Sequence, residues 1–126
     1  MKKTIRIISL LVVASILLTS CFDKETHIKV EESQIHGKWV KNATQEYWRY
    51  NTDHTGVTWD ESEDISEEES NLIYEWSLNG DQLTHVFSGL QGNQAVPKVY
   101  TITAISKTGM EWKDDYGMTY QLTKAE

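Results

Sequence analysis

The segment LIYEWSLNGDQLTHVF, residues 72–87, leaves the chain little choice of fold. Leu72, Tyr74, Trp76 and Leu78 fall on one face of an extended backbone, and Glu75 and Ser77 fall on the other. Side chains alternate across a strand, so this pattern predicts a half-buried strand. Asn79-Gly80-Asp81 follows, and an Asn-Gly pair supplies the positive φ that a tight hairpin turn needs. The return run places Leu83, His85 and Phe87 together on one face.

The same grammar holds elsewhere. HGKWVK is one short run and EYWRY a second, ended by Asn51-Thr52-Asp53-His54-Thr55-Gly56. GVTWD is a third, before the acidic stretch DESEDISEEES, residues 60–70. A softer loop, SGLQGNQA, leads to the β-branched run KVYTITAI. SKTG turns into MEWK, and Asp114-Asp115-Tyr116-Gly117 turns into MTYQLT. No helical stripe of useful length is present; residues 65–71 offer the one place for a helical turn. Eight short strands joined mostly by hairpins predict an all-β fold. An eight-strand meander points to an antiparallel up-and-down β-barrel, which removes exposed edges by closing on itself.

The N-terminus reads as an address. Lys2, Lys3 and Arg6 precede a run from Ile7 to Leu18 that only Ser9 and Ser15 interrupt. A basic start, a short apolar segment and small residues are the layout of a secretory signal peptide. The run is shorter than the roughly 20 residues that a membrane span needs. Leu18-Thr19-Ser20-Cys21 resembles the lipobox of bacterial lipoproteins. The resemblance implies cleavage after residue 20 and a diacylglycerol on Cys21, a membrane anchor stabilised by about 0.8 kcal/mol per buried methylene. A free structural thiol is the alternative for this residue. With one cysteine in the chain, no intramolecular disulfide can form. Phe22-Asp23 carries no strong inner-membrane retention pattern, so the expected location is the bacterial envelope, at the outer membrane. Residues 21–34 read as a polar tether and residues 35–126 as the folded domain.

Removing a leader with three positive charges and no negative ones takes the net charge from −7 to −10. A chain this acidic has no basic stripe for nucleic acid and no electrostatic attraction to an anionic membrane face. All 13 aromatic residues lie beyond the leader, and aromatics suit pleated, half-buried surfaces.

Gly37-Lys38-Trp39 opens the first strand. With Trp48 and Tyr50 in the second, the turn from Asp53 to Gly56, and Trp59 in the third, the chain resembles the lipocalin superfamily. It is most similar to the short lipocalin-like domains of bacterial lipoproteins. The resemblance spans residues 35–124 and implies that Trp39, with Gly37 beside it, plugs one end of a barrel. The chain is shorter than secreted lipocalins and shows no helix after the eighth strand, which implies a shallow cup.

An eight-stranded barrel is just wide enough either to be filled by side chains or to hold one small ligand. Trp48, Tyr50, Trp59, Tyr74, Trp76, Phe87 and Tyr100 are the candidate pocket residues, and they can equally fill the interior. The acidic stretch has seven carboxylates between Asp60 and Glu69. It fails the calcium-loop pattern, with Ile65 where a glycine is required and Asn71 where a glutamate is required. It is expected to be a solvated, mobile loop at the barrel mouth. His27, His36, His54 and His85 lack metal-binding spacing and are expected in turns or at the surface. No metal and no cofactor are expected. No nucleophile elbow is present, Cys21 is expected to be acylated, as the lipobox resemblance implies, and Glu75 is expected to face solvent. The function expected is therefore non-enzymatic: an envelope barrel binding a small apolar or amphipathic molecule. The alternative is a solid barrel that serves as a protein-interaction, assembly or inhibitor module.

Overall fold

A computed structural model describes residues 27–88 and 95–126. The expected leader (1–20), the expected lipidation site Cys21 and residues 22–26 of the expected tether lie outside the described residues.

One helical turn, α1 (Glu32–Ile35), precedes eight strands: β1 (Gly37–Lys41), β2 (Glu46–Tyr50), β3 (Thr55–Asp60), β4 (Ile73–Asn79), β5 (Gln82–Phe87), β6 (Pro97–Ile105), β7 (Gly109–Lys113) and β8 (Thr119–Lys124). A short 3-10 turn, η1 (Glu61–Glu63), follows β3. Each strand pairs antiparallel with the next, and β8 pairs back onto β1 through Trp39–Lys124, Val40–Thr123 and Lys41–Leu122. The expected eight-stranded up-and-down barrel is therefore the fold, and no sheet edge is left open.

Registry sorts the side chains. Trp48 lies opposite Thr58, Tyr50 opposite Gly56, Tyr74 opposite Phe87, and Trp76 opposite His85. Those positions point into the barrel. Glu75 is exposed on the other face, as its alternation predicts. A bulge between Ile102 and Ala104 shifts the β6–β7 register, and bulges of this kind bend and twist a closing sheet. The β4–β5 connection is a two-residue turn with Gly80 at φ +65°, which glycine adopts without steric cost.

The chain enters at the end of the barrel that α1 covers. Ile35 is fully buried and Val30 nearly so, with Ile28 packed against the same core. The folded unit thus begins well before residue 35. The charged run around Ile28, Val30 and Ile35 hides three apolar anchors. The Glu31 N–H donates to Gln34 Oε1 at 2.8 Å, a local bond that starts the turn. Residues 65–71 are not helical.

Trp39 is fully buried, and its Nε1–H donates to the Ile35 carbonyl at 2.8 Å. Lys124 Nζ stands 4.5 Å from the centre of its ring and donates to the His36 carbonyl. Gly37 sits at φ +113°, and a Cβ there would meet the Glu126 carbonyl oxygen at 2.8 Å. Trp39→Phe leaves a smaller ring, opens a void where the pyrrole half of the indole sat and strands that buried carbonyl, a combined loss of about 2–4 kcal/mol that urea unfolding would measure.

Candidate functional site

The two halves of the barrel interior differ. In the half near α1, Trp39, Tyr50, Tyr74, Trp76, Leu83 and Ile102 are buried and fill the space. The other half holds an open cavity of about 910 Å³. The rings of Trp48, Phe87, Tyr100 and Trp112 line it from β2, β5, β6 and β7. Trp48 and Trp112 meet edge to face at 5.7 Å, and Tyr100 stacks on Trp112 at 4.7 Å. Such contacts hold the rings in place.

The candidate residues therefore divide. Trp48, Phe87 and Tyr100 line the cavity. Tyr50, Tyr74 and Trp76 do not; they form the packed base beneath it. Tyr74 Oη donates to the Arg49 carbonyl at 2.6 Å, and Trp76 Nε1 donates to the Asn51 and Thr55 carbonyls at 3.2 and 3.1 Å. These bonds satisfy the polar ends of rings that would otherwise be costly to bury. Trp59 borders the cavity, but its register partner is Tyr47 on the outward face, and the two rings stack at 5.3 Å.

Two residues escaped the sequence reading. Trp112 shares the inward face of β7 with Met110, so the alternation in MEWK already marked it. His85 was expected at the surface, yet it is fully buried. It touches all four lining rings, at 5.0 Å for Trp48, 6.5 Å for Phe87, 5.2 Å for Tyr100 and 5.5 Å for Trp112. Its Nε2 shares a 2.8 Å hydrogen bond with Tyr50 Oη, and its Nδ1 has no hydrogen-bond partner. Burial, helped by the charge of Lys98 across the β5–β6 register, pushes its pKa down to about 3. Burial also holds the Tyr50 and Tyr74 hydroxyls well above the usual tyrosine range. The centre of the barrel is therefore neutral at physiological pH. The signal was the shared parity of Leu83, His85 and Phe87, which outranks the general surface preference of histidine.

Charged groups ring the opening. Lys41 and Glu46 face each other at 3.6 Å, and Lys41 Nζ lies 4.4 Å from the centre of the Tyr120 ring. Asp60, Glu63 and Glu69 come from the acidic segment, Lys98 from β6, and Asp114 from the end of β7. The acidic segment does sit at the mouth, but it is tied down. Asp60 accepts from the Ser62 N–H and hydroxyl at 2.9 and 2.5 Å, and Glu69 accepts from Ser66 Oγ at 2.8 Å. Arg49 clasps Glu67 with two bonds of 2.6 and 3.1 Å. Among the described residues no group of three or more His, Cys, Asp or Glu side chains is placed to hold a metal ion, and no helix is long and apolar enough to cross a membrane. Compared with known protein families, curated proteins and solved structures, the chain matches none.

Proposed function

We propose that this protein is a lipid-anchored, lipocalin-like carrier of the bacterial envelope that holds a small apolar or amphipathic molecule in the open half of its barrel. One observation carries the reading: a cavity of about 910 Å³ walled by Trp48, Phe87, Tyr100 and Trp112. Ligand pockets commonly measure about 300–1,000 Å³ and are mostly apolar, with a few polar groups at fixed places. Half of the interior is filled and half is open, which favours a shallow cup over a solid cylinder. The proposed anchor is acylated Cys21, in the outer membrane, and the proposed role is binding rather than catalysis.

A second reading has its own support. The exposed large apolar residues among those described, Leu72, Ile73, Val96, Tyr116 and Met118, all stand in or beside the connections at the open end. Clustered apolar exposure marks interaction surfaces, so the mouth is also a candidate docking face for an envelope protein.

The barrel closes on itself, and residues 27–36 supply its cover, so a chain beginning at Phe22 carries the whole described fold. Purified from its own host, it should retain a small molecule under native mass spectrometry. Apolar probes should quench its tryptophan fluorescence, and Trp112→Ala should weaken that binding about tenfold, or 1.4 kcal/mol. A bare protein mass together with unchanged fluorescence across a lipid panel would leave the docking role as the better account.

A further inference from the structure

We propose that the molecule held in this cup is a cationic amphiphile, its apolar tail against Trp48, Phe87 and Trp112 and its ammonium or guanidinium head among the carboxylates of the mouth; this rests on the carrier reading above. Two features of the site select the charge. The first is the balance at the opening. Lys41 is matched by Glu46. The remaining lining carboxylates, Asp60, Glu63, Glu69 and Asp114, face a single ammonium, that of Lys98. Residues 89–94 contain no charged side chain, so they do not alter this balance. A cleft lined by one sign of charge over low-dielectric walls focuses its field on the entering ligand. Hydrogen bonds from Ser62 and Ser66 hold the Asp60 and Glu69 carboxyls below the usual carboxylate range, so both stay ionised in mildly acidic conditions.

The second feature is the wall itself. Beyond the rings that take the tail, Tyr120 also lines the cavity, with Lys41 Nζ 4.4 Å from its ring centre, and a ring face attracts a cation while it gains nothing from an anion. Aromatic lining alone would accept any greasy chain. Combined with a mouth of net negative charge, it discriminates against fatty carboxylates and phosphates, whose heads would enter a field of their own sign.

The test uses the chain from Phe22 and three probes with the same tail: decyltrimethylammonium, decanol and decanoate, all below micelle-forming concentrations. Binding is read by tryptophan fluorescence and by calorimetry. At low salt the ammonium should bind at least about tenfold tighter than decanoate, with decanol between them. High salt should compress that gap, because the mouth charges are exposed to screening. The double variant Glu63→Gln with Asp114→Asn should narrow it as well. Asn can still accept the Tyr116 and Met118 N–H bonds that Asp114 accepts at 2.9 Å, so the β7–β8 turn is kept. Decanoate binding as tightly as the ammonium, or a preference that ignores both salt and the double variant, would overturn the charge assignment while leaving the carrier role standing. If none of the three binds, both fall.

Discussion

Gly56→Ala should cost the barrel about 3 kcal/mol or more, enough to leave a domain of this size close to unfolding. Gly56 lies in β3 with its missing side chain directed inward, opposite Tyr50 on one strand and Tyr74 on the other. A Cβ at this position would stand 2.3 Å from Tyr74 Cζ and 2.4 Å from the Arg49 carbonyl oxygen. Neither neighbour can retreat. The Arg49 oxygen belongs to the paired strand β2 and accepts the Tyr74 hydroxyl at 2.6 Å. The Tyr74 ring is fully buried and held by Trp48, Tyr50, His85 and Phe87. One methyl group therefore forces a shift through the packed base, and dense cores transmit such strain.

Gly80→Ala is the matched control. Gly80 adopts φ +65° with open space around its Cα, so alanine there meets only the backbone penalty of about 1–2 kcal/mol. Urea titration of both variants should rank Gly56→Ala as clearly the more damaging. Adding Tyr74→Leu should return part of the loss, since residues in contact do not act additively. A Gly56→Ala protein within about 0.5 kcal/mol of the parent would mean that the ring does not rest on this backbone.

Gly56 also marks where sequence reasoning stops. The strand pattern was legible because each run alternates cleanly, and alternation together with turn residues specifies an antiparallel meander. The glycine was read as the end of an Asp-x-x-Gly turn. The turn is present, but its positive φ falls on His54 at +68°, and Gly56 is already inside β3. Its requirement is steric and comes from Tyr74, 18 positions away in the sequence. Trp59 shows the same limit: its run, GVTWD, is short enough to satisfy either face, and only pairing with β2 places the indole at the cavity border, stacked on Tyr47. The division of the aromatics into a packed base and an open cup depends on stagger between strands, which no single run encodes. The apolar anchors Ile28, Val30 and Ile35 were hidden by the charges around them, because three residues covering a barrel end need no period.

The largest pH effect should come from His85. Its folded-state pKa is pushed from the usual 6.5 down to about 3, chiefly by burial and secondarily by Lys98. The rings packed around it, Tyr50, Tyr74 and Tyr100, carry hydroxyls held above the usual tyrosine range, so they stay neutral through the acid limb. Above pH 6.5 the imidazole is neutral in both the folded and the unfolded chain, and its contribution is fully present. As pH falls through 6.5 the unfolded chain takes up a proton that the folded core refuses. Stability is therefore lost progressively between about pH 6.5 and pH 3. At 1.36 kcal/mol per pKa unit, the loss by pH 4.5 should be about 2–3 kcal/mol. His85→Gln can keep a hydrogen bond to Tyr50 Oη but cannot titrate. The other histidines are common to both proteins and cancel in the comparison. Urea midpoints from pH 7 to pH 4.5 should fall for the parent and stay much flatter for His85→Gln, with the difference opening below pH 6.5. Parallel curves would show that His85 is protonated in the folded barrel at the same pH as in the unfolded chain, and the neutral, buried base assigned to the cup would have to be abandoned.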